Sequence, residues 1–156
     1  MKTLILYATK HGATREAAER IAQKIPGTML HDLKQANIPP LADFDCVIFG
    51  SSIYVGSIRK EAKTFLEQNA DRLKEKKFGL FLCGLQENEE KQFFASNFSP
   101  DILTAAKATA FFGGIFDPKK AGFMERFIIK TVAKLPEYTD RINNTKIDQF
   151  AEMMKS

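Results

Sequence analysis

Thr9, Gly12 and Thr14 are the residues whose types and spacing speak most directly of chemistry. Together with Lys10, His11 and Ala13 they form a stretch in which two hydroxyls flank a glycine. Glycine lets a backbone approach an anion closely, and hydroxyls can donate to its oxygens. Where such a stretch opens a helix, the free N–H groups of the first turn favour a phosphate. The stretch lacks the GxxxxGK[ST] of a triphosphate loop and the GxGxxG of a dinucleotide fold. The plainer alternative is a Thr14 that caps its helix and a Gly12 that only turns the chain.

Two more stretches have the composition of ligand loops. One runs from Gly50 through Ser51, Ser52, Ile53, Tyr54, Val55 and Gly56; the other begins at Gly84, Leu85 and Gln86. Tyr54 is the only tyrosine in these loops, and its ring can stack on a planar ligand and exclude water. His11 can donate one hydrogen bond as a neutral imidazole or add charge as an imidazolium, with a solvent-facing turn residue as the alternative. Lys10 can screen a phosphate or remain solvated. His31 stands alone and is expected to be structural. No Ser/His/Asp set, paired carboxylates or Cys/His cluster is readable, so no catalytic side chain and no metal site are expected. Glu89 and Glu90 read as a solvated helix start.

The elements around these loops follow from periodicity. Nearly continuous apolar runs at residues 3–8, 44–50, 78–83 and 108–112 predict strands buried on both faces, and 29–33 is a weaker candidate. Ala17, Ala18, Ile21, Ala22 and Ile25 lie at helical spacing, ended by Gly27. Ala62, Phe65, Leu66, Ala70 and Leu73 repeat the pattern, as do Ile147, Phe150, Ala151 and Met154 behind Asn144. Residues 87–94 can form a helix, and Pro100 opens a short one at its first position. Strands alternating with helices predict an α/β three-layer sandwich with a five-stranded parallel sheet in the order 2-1-3-4-5. The loops after strands one, three and four then converge at one end of the sheet, where ligands bind. With 156 residues the chain reads as a single domain, 1–156, with an extra segment at about residues 116–140.

Cys46 and Cys83 sit in apolar runs and are expected to be buried thiols. No run approaches the length that spans a bilayer, and no cleavage signal is visible, so a cytoplasmic location is expected. The formal net charge is +4. Much of the excess lies in Lys119, Lys120, Arg126, Lys130 and Lys134, against Glu125 alone. Arg126, Lys130 and Lys134 fall on one helical face, with Phe123, Met124, Phe127, Ile128 and Val132 forming an apolar face. Such a helix can lie on an anionic membrane or pack on its own domain. No interleaving of aromatic and basic residues points to nucleic acid.

The pattern Thr9-x-x-Gly12-x-Thr14 after a buried strand resembles the FMN phosphate loop of flavodoxins, with His11 where that family commonly has threonine. The stretch from Gly50 to Gly56 resembles the loop that sets an aromatic ring, here Tyr54, against the flavin. The resemblance implies a flavodoxin-like three-layer sandwich, FMN as cofactor, and electron transfer to a redox partner. It also implies a Gly56 whose backbone reorients when the flavin gains a proton. The cofactor-binding residues it implies are Thr9–Thr14, Ser51–Gly56 and Gly84–Gln86. Residues 1–22 and, more specifically, 113–134 resemble the menaquinone-dependent protoporphyrinogen oxidase branch. That implies oxidation of a porphyrinogen with a quinone acceptor, peripheral at the inner membrane face through residues 119–134. The acidic loop Gln86, Glu87, Asn88, Glu89 and Glu90 departs from what porphyrin propionates would favour. A soluble flavodoxin carrier is the second reading, although such carriers are typically acidic and this chain is basic. A flavodoxin-like binding module without flavin is the third.

Overall fold

The computed structural model describes residues 1–120 and 137–156. β1 (Thr3–Ala8) is buried along its whole length and lies at the centre of the sheet. It pairs in parallel with β2 (Thr28–Asp32) on one side and β3 (Cys46–Tyr54) on the other. Beyond β3 come β5 (Lys77–Cys83) and β6 (Ala108–Phe111), both parallel. The order β2-β1-β3-β5-β6 is the expected 2-1-3-4-5 once the two-residue β4 (Ser57–Ile58), antiparallel to the end of β3, is set aside.

Both faces of the sheet are covered, because strand side chains alternate in direction. Leu4, Leu6, Phe49, Leu80 and Leu82 pack on one side with Phe65 and Leu73 of α2 (Lys60–Lys74). Ile5, Ile48 and Phe81 face the other side, against Ile21 of α1 (Ala13–Lys24) and Phe150 of α5 (Asn144–Lys155). Glycines admit the largest rings. A Cβ on Gly50 would lie 2.1 Å from Cζ of Phe81, and one on Gly79 would lie 2.9 Å from Cζ of Phe150. The short helices α3 (Glu90–Asn97) and α4 (Pro100–Ala105) complete the layer on the Phe65 side, through Phe93, Phe94 and Ile102.

β3 continues to Tyr54, where the sequence suggested a loop after Gly50. Val55 and Gly56, at φ 50° and 77°, turn the chain, and Tyr54 pairs with Ser57. Two central residues at positive φ are the hairpin pattern that matches strand twist. The polar composition hid this strand because its outer end leaves the core. Asn97 of α3 clamps the hairpin, accepting from Ile58 N–H at 3.0 Å and donating to Gly56 O at 3.0 Å.

After β6 the chain forms β7 (Ile115–Phe116), antiparallel to β8 (Thr139–Asp140) just before α5. The extra segment read from the sequence lies between and across these two strands. Most of its basic amphipathic stripe, including Arg126, Lys130 and Lys134, lies outside the described residues. No helix among the described residues is long and apolar enough to cross a membrane.

Candidate functional site

β1 delivers its last residue, Ala8, to a turn that α1 must open. Gly12 takes φ 98°, a left-handed conformation that L side chains resist, and stands as the N-cap of α1. Its carbonyl accepts the first helical bond, from Glu16 N–H at 2.9 Å. The N–H groups of Ala13, Thr14 and Arg15 therefore have no carbonyl within the helix. Thr9 Oγ1 accepts from Gly12 N–H at 2.9 Å and closes the loop. Thr14 is fully buried, and its Oγ1 makes no hydrogen bond.

β3 and β5 end beside this turn. The Ser51 hydroxyl is taken up internally: it donates to Ser52 O and accepts from Arg59 N–H, both at 3.0 Å. The buried Ser52 Oγ has no partner. Lys10 Nζ lies 3.4 Å from the centroid of the Tyr54 ring and covers one of its faces. A cation so placed is held by the ring's quadrupole. Gly84 N–H donates to Gly113 O at 3.0 Å, and a Cβ on Gly114 would lie 3.1 Å from the Gly84 carbonyl carbon. These glycines let the loops after β5 and β6 touch.

Between the three loops lies a cleft of about 810 Å³, counted to its open mouth. It brings together Thr9, Lys10, His11, Ala13, Ser52, Ile53, Tyr54, Val55, Gly84, Leu85 and Gln86. Gly12, Thr14, Ser51 and Gly56 stand behind or beside that lining. Three residues not anticipated from sequence also line it: Cys83, Gly114 and Ile115. Cys83 had been legible only as a core thiol. Gly114 and Ile115 carried no ligand signal and arrive through the β7–β8 pairing. Asn97, which holds the hairpin, had no signal beyond its place in a helix.

Burial pushes the Cys83 thiol up to about 12. Burial raises Cys46 as well. Both thiols are therefore protonated near neutrality and poor nucleophiles. Burial, and next the Asp32 carboxylate, raise the Tyr7 phenol. Among the described residues no cluster of His, Cys, Asp or Glu could hold a metal.

The chain matches the flavodoxin domain family over residues 4–143. It belongs to that family. Among curated relatives, the protoporphyrinogen IX dehydrogenase [quinone] of Escherichia coli K12 is 23% identical over 145 residues, covering 86% of this chain and 80% of that protein. Among solved structures, the flavodoxin of Streptococcus pneumoniae TIGR4 superposes with a TM-score of 0.62 at 17% identity, covering 99% of this chain and 98% of that one. The rubredoxin oxygen:oxidoreductase of Desulfovibrio gigas superposes with a TM-score of 0.57 at 16% identity; 99% of this chain matches 36% of that protein, about a third of its length.

FMN is the cofactor of the flavodoxin domain, and the residues at this cleft fit it. The α1 N-terminus presents donors to an anion, the unpaired hydroxyls of Thr14 and Ser52 are buried and await partners, and Ile53, Leu85 and Ile115 supply apolar wall. When bound, the flavin supplies one- and two-electron chemistry, and the protein supplies orientation and field.

Proposed function

We propose that this flavodoxin-type redox protein is an oxidoreductase that takes hydrogen from a porphyrinogen-like donor and passes it to a quinone. The observation that carries the reading is Ile115 of β7, which forms part of the cleft wall just ahead of the added stretch that β7 and β8 bracket. A minimal electron carrier needs no added chain at its cofactor. The match to a quinone-linked dehydrogenase over most of both chains supports the same direction.

In this reading the flavin phosphate is held by the N–H groups of Ala13, Thr14 and Arg15 and by the hydroxyls of Thr9 and Thr14. Ser52 donates to the polar edge of the ring system. Tyr54 packs against its face, with Lys10 swinging off the phenol ring or remaining on its far side. Gly56 gives the hairpin its freedom to reorient a peptide. Gly84, Leu85 and Gln86 border the opposite edge. No side chain here is assigned as an acid or base; a bound FMN would supply the redox chemistry between donor and quinone, and these residues would hold and orient it. The exposed Lys119 stands at the start of a basic stretch suited to an anionic membrane surface, where a lipid-soluble quinone resides.

The test is anaerobic oxidation of a porphyrinogen by the FMN-loaded protein with a menaquinone analogue. Porphyrin fluorescence should appear in proportion to quinol formed, and neither should appear with apoprotein. Loaded protein that oxidises no porphyrinogen but exchanges electrons with a soluble redox protein supports the carrier reading. That reading draws on the acidic Glu87, Glu89 and Glu90 after β5, which suit a basic partner. Protein that stays colourless after reconstitution with FMN supports the binding module.

A further inference from the structure

We propose that Lys120 is the countercharge of the flavin phosphate, reaching from the extra segment to the glycine of the loop before α1. The inference rests on the placement of the phosphate at that loop. A Cβ built on Gly12 would lie 4.0 Å from Lys120 Nζ, and apart from chain neighbours and the helix's own backbone nothing else described comes within 4 Å of it. Among the described residues the space over Gly12 is thus open except for one ammonium group.

The approach is set by backbone rather than by chance reach. Phe116 is buried and paired with Thr139, which fixes where the segment leaves the core. Asp117 then folds the chain back: its carbonyl accepts from Lys120 N–H and its carboxylate from Lys119 N–H, each at 3.0 Å. This turn carries Lys120 across the end of the sheet to α1, more than a hundred residues earlier in sequence.

The loop's other charges leave this role open. A phosphate monoester carries close to two negative charges near neutrality, while helix N–H groups offer only partial positive charge. Arg15, in the first turn of α1, is engaged with Glu19 at 2.9 Å, and Glu16 adds negative charge beside it. Lys10 is drawn over the Tyr54 ring. Among the described residues Lys120 is therefore the cation that the fold brings to the glycine. Because it is exposed, its effect passes partly through water, and salt should weaken it.

The consequence is selectivity for the phosphorylated flavin. The experiment titrates apoprotein with FMN and with riboflavin, following quenching of flavin fluorescence, at low and high salt. Lys120→Gln should weaken FMN binding about tenfold while changing riboflavin binding less than about twofold. Its FMN affinity should also respond less to salt. Lys120→Arg, which keeps the charge, should stay within about threefold of wild type for FMN. Lys120→Gln that binds FMN like wild type, or that loses both flavins equally, overturns the proposal. Wild-type protein that binds riboflavin as tightly as FMN instead overturns the phosphate placement itself, which keeps the two failures apart.

Discussion

Replacing Thr14 by valine should move the free protein and its FMN complex in opposite directions. The Thr14 side chain is fully buried in the first turn of α1, and its hydroxyl makes no hydrogen bond. A buried hydroxyl without a partner costs about 1–3 kcal/mol in lost hydration. Valine keeps the shape, and its helix propensity is close to that of threonine. Removing the hydroxyl should therefore stabilise the apoprotein by about 1 kcal/mol, raising its Tm by roughly 2–4 °C for a domain of this size. On the proposed placement of the phosphate the hydroxyl donates to one of its oxygens, so the same substitution should weaken FMN binding by about 1–3 kcal/mol, roughly 5- to 150-fold. Urea denaturation of the apoprotein and a flavin fluorescence titration measure the two halves. An apoprotein that loses stability would refute the reasoning. The hydroxyl would then have a protein partner, and the Cys83 thiol beside it is the obvious one. Unchanged FMN affinity would place the phosphate elsewhere.

Gly12→Val puts a branched side chain at φ 98°, against Lys120, and should weaken FMN binding well beyond the Thr14 variant in the same titration. Gly50→Ala forces a methyl against the Phe81 ring in the middle of the sheet, and should cost about 1–3 kcal/mol in urea denaturation. Val55→Asn creates an Asn-Gly turn where a β-branched residue now sits at φ 50°, and should raise the apoprotein Tm, the gain being about 1 kcal/mol. The Cys83 thiol keeps its proton in the folded chain up to about 12, whereas the unfolded chain gives it up near 9.0. The folded state then holds more protons than the unfolded one, so stability should fall as pH rises from the lower value to the higher, at up to about 1.4 kcal/mol per pH unit. Cys83→Ala should flatten that part of the profile, read from denaturation midpoints.

The sheet order was legible because the central strands are short apolar runs separated by helical stripes, and right-handed crossovers leave few ways to arrange them. Thr9, Gly12 and Thr14 were legible as one turn at a helix start because its residues are adjacent in sequence. The rest of the cleft was not local. β3 disguised its last residues as a loop, since a strand that leaves the core has no need to be apolar. Asn97 and Lys120 reach their neighbours across long sequence distances, and nothing beside them marks an asparagine late in a helix or a lysine after an Asp-Pro turn. Gly114 and Ile115 reach the cleft only because residues 115–116 pair with 139–140, a contact that two-residue strands do not announce.

That pairing gives the added chain an architecture of its own. Ile115 lies opposite Asp140 and Phe116 opposite Thr139, so the segment leaves and re-enters the domain at a single pinned gateway. Arg141 N–H to Gly114 O and Asn143 N–H to Phe112 O, both 2.8 Å, continue the seam down to the sheet. Both ends of the added stretch are thus joined to each other and to the sheet at one place, so a stretch of different length could be attached there at little entropic cost and without a change in strand order.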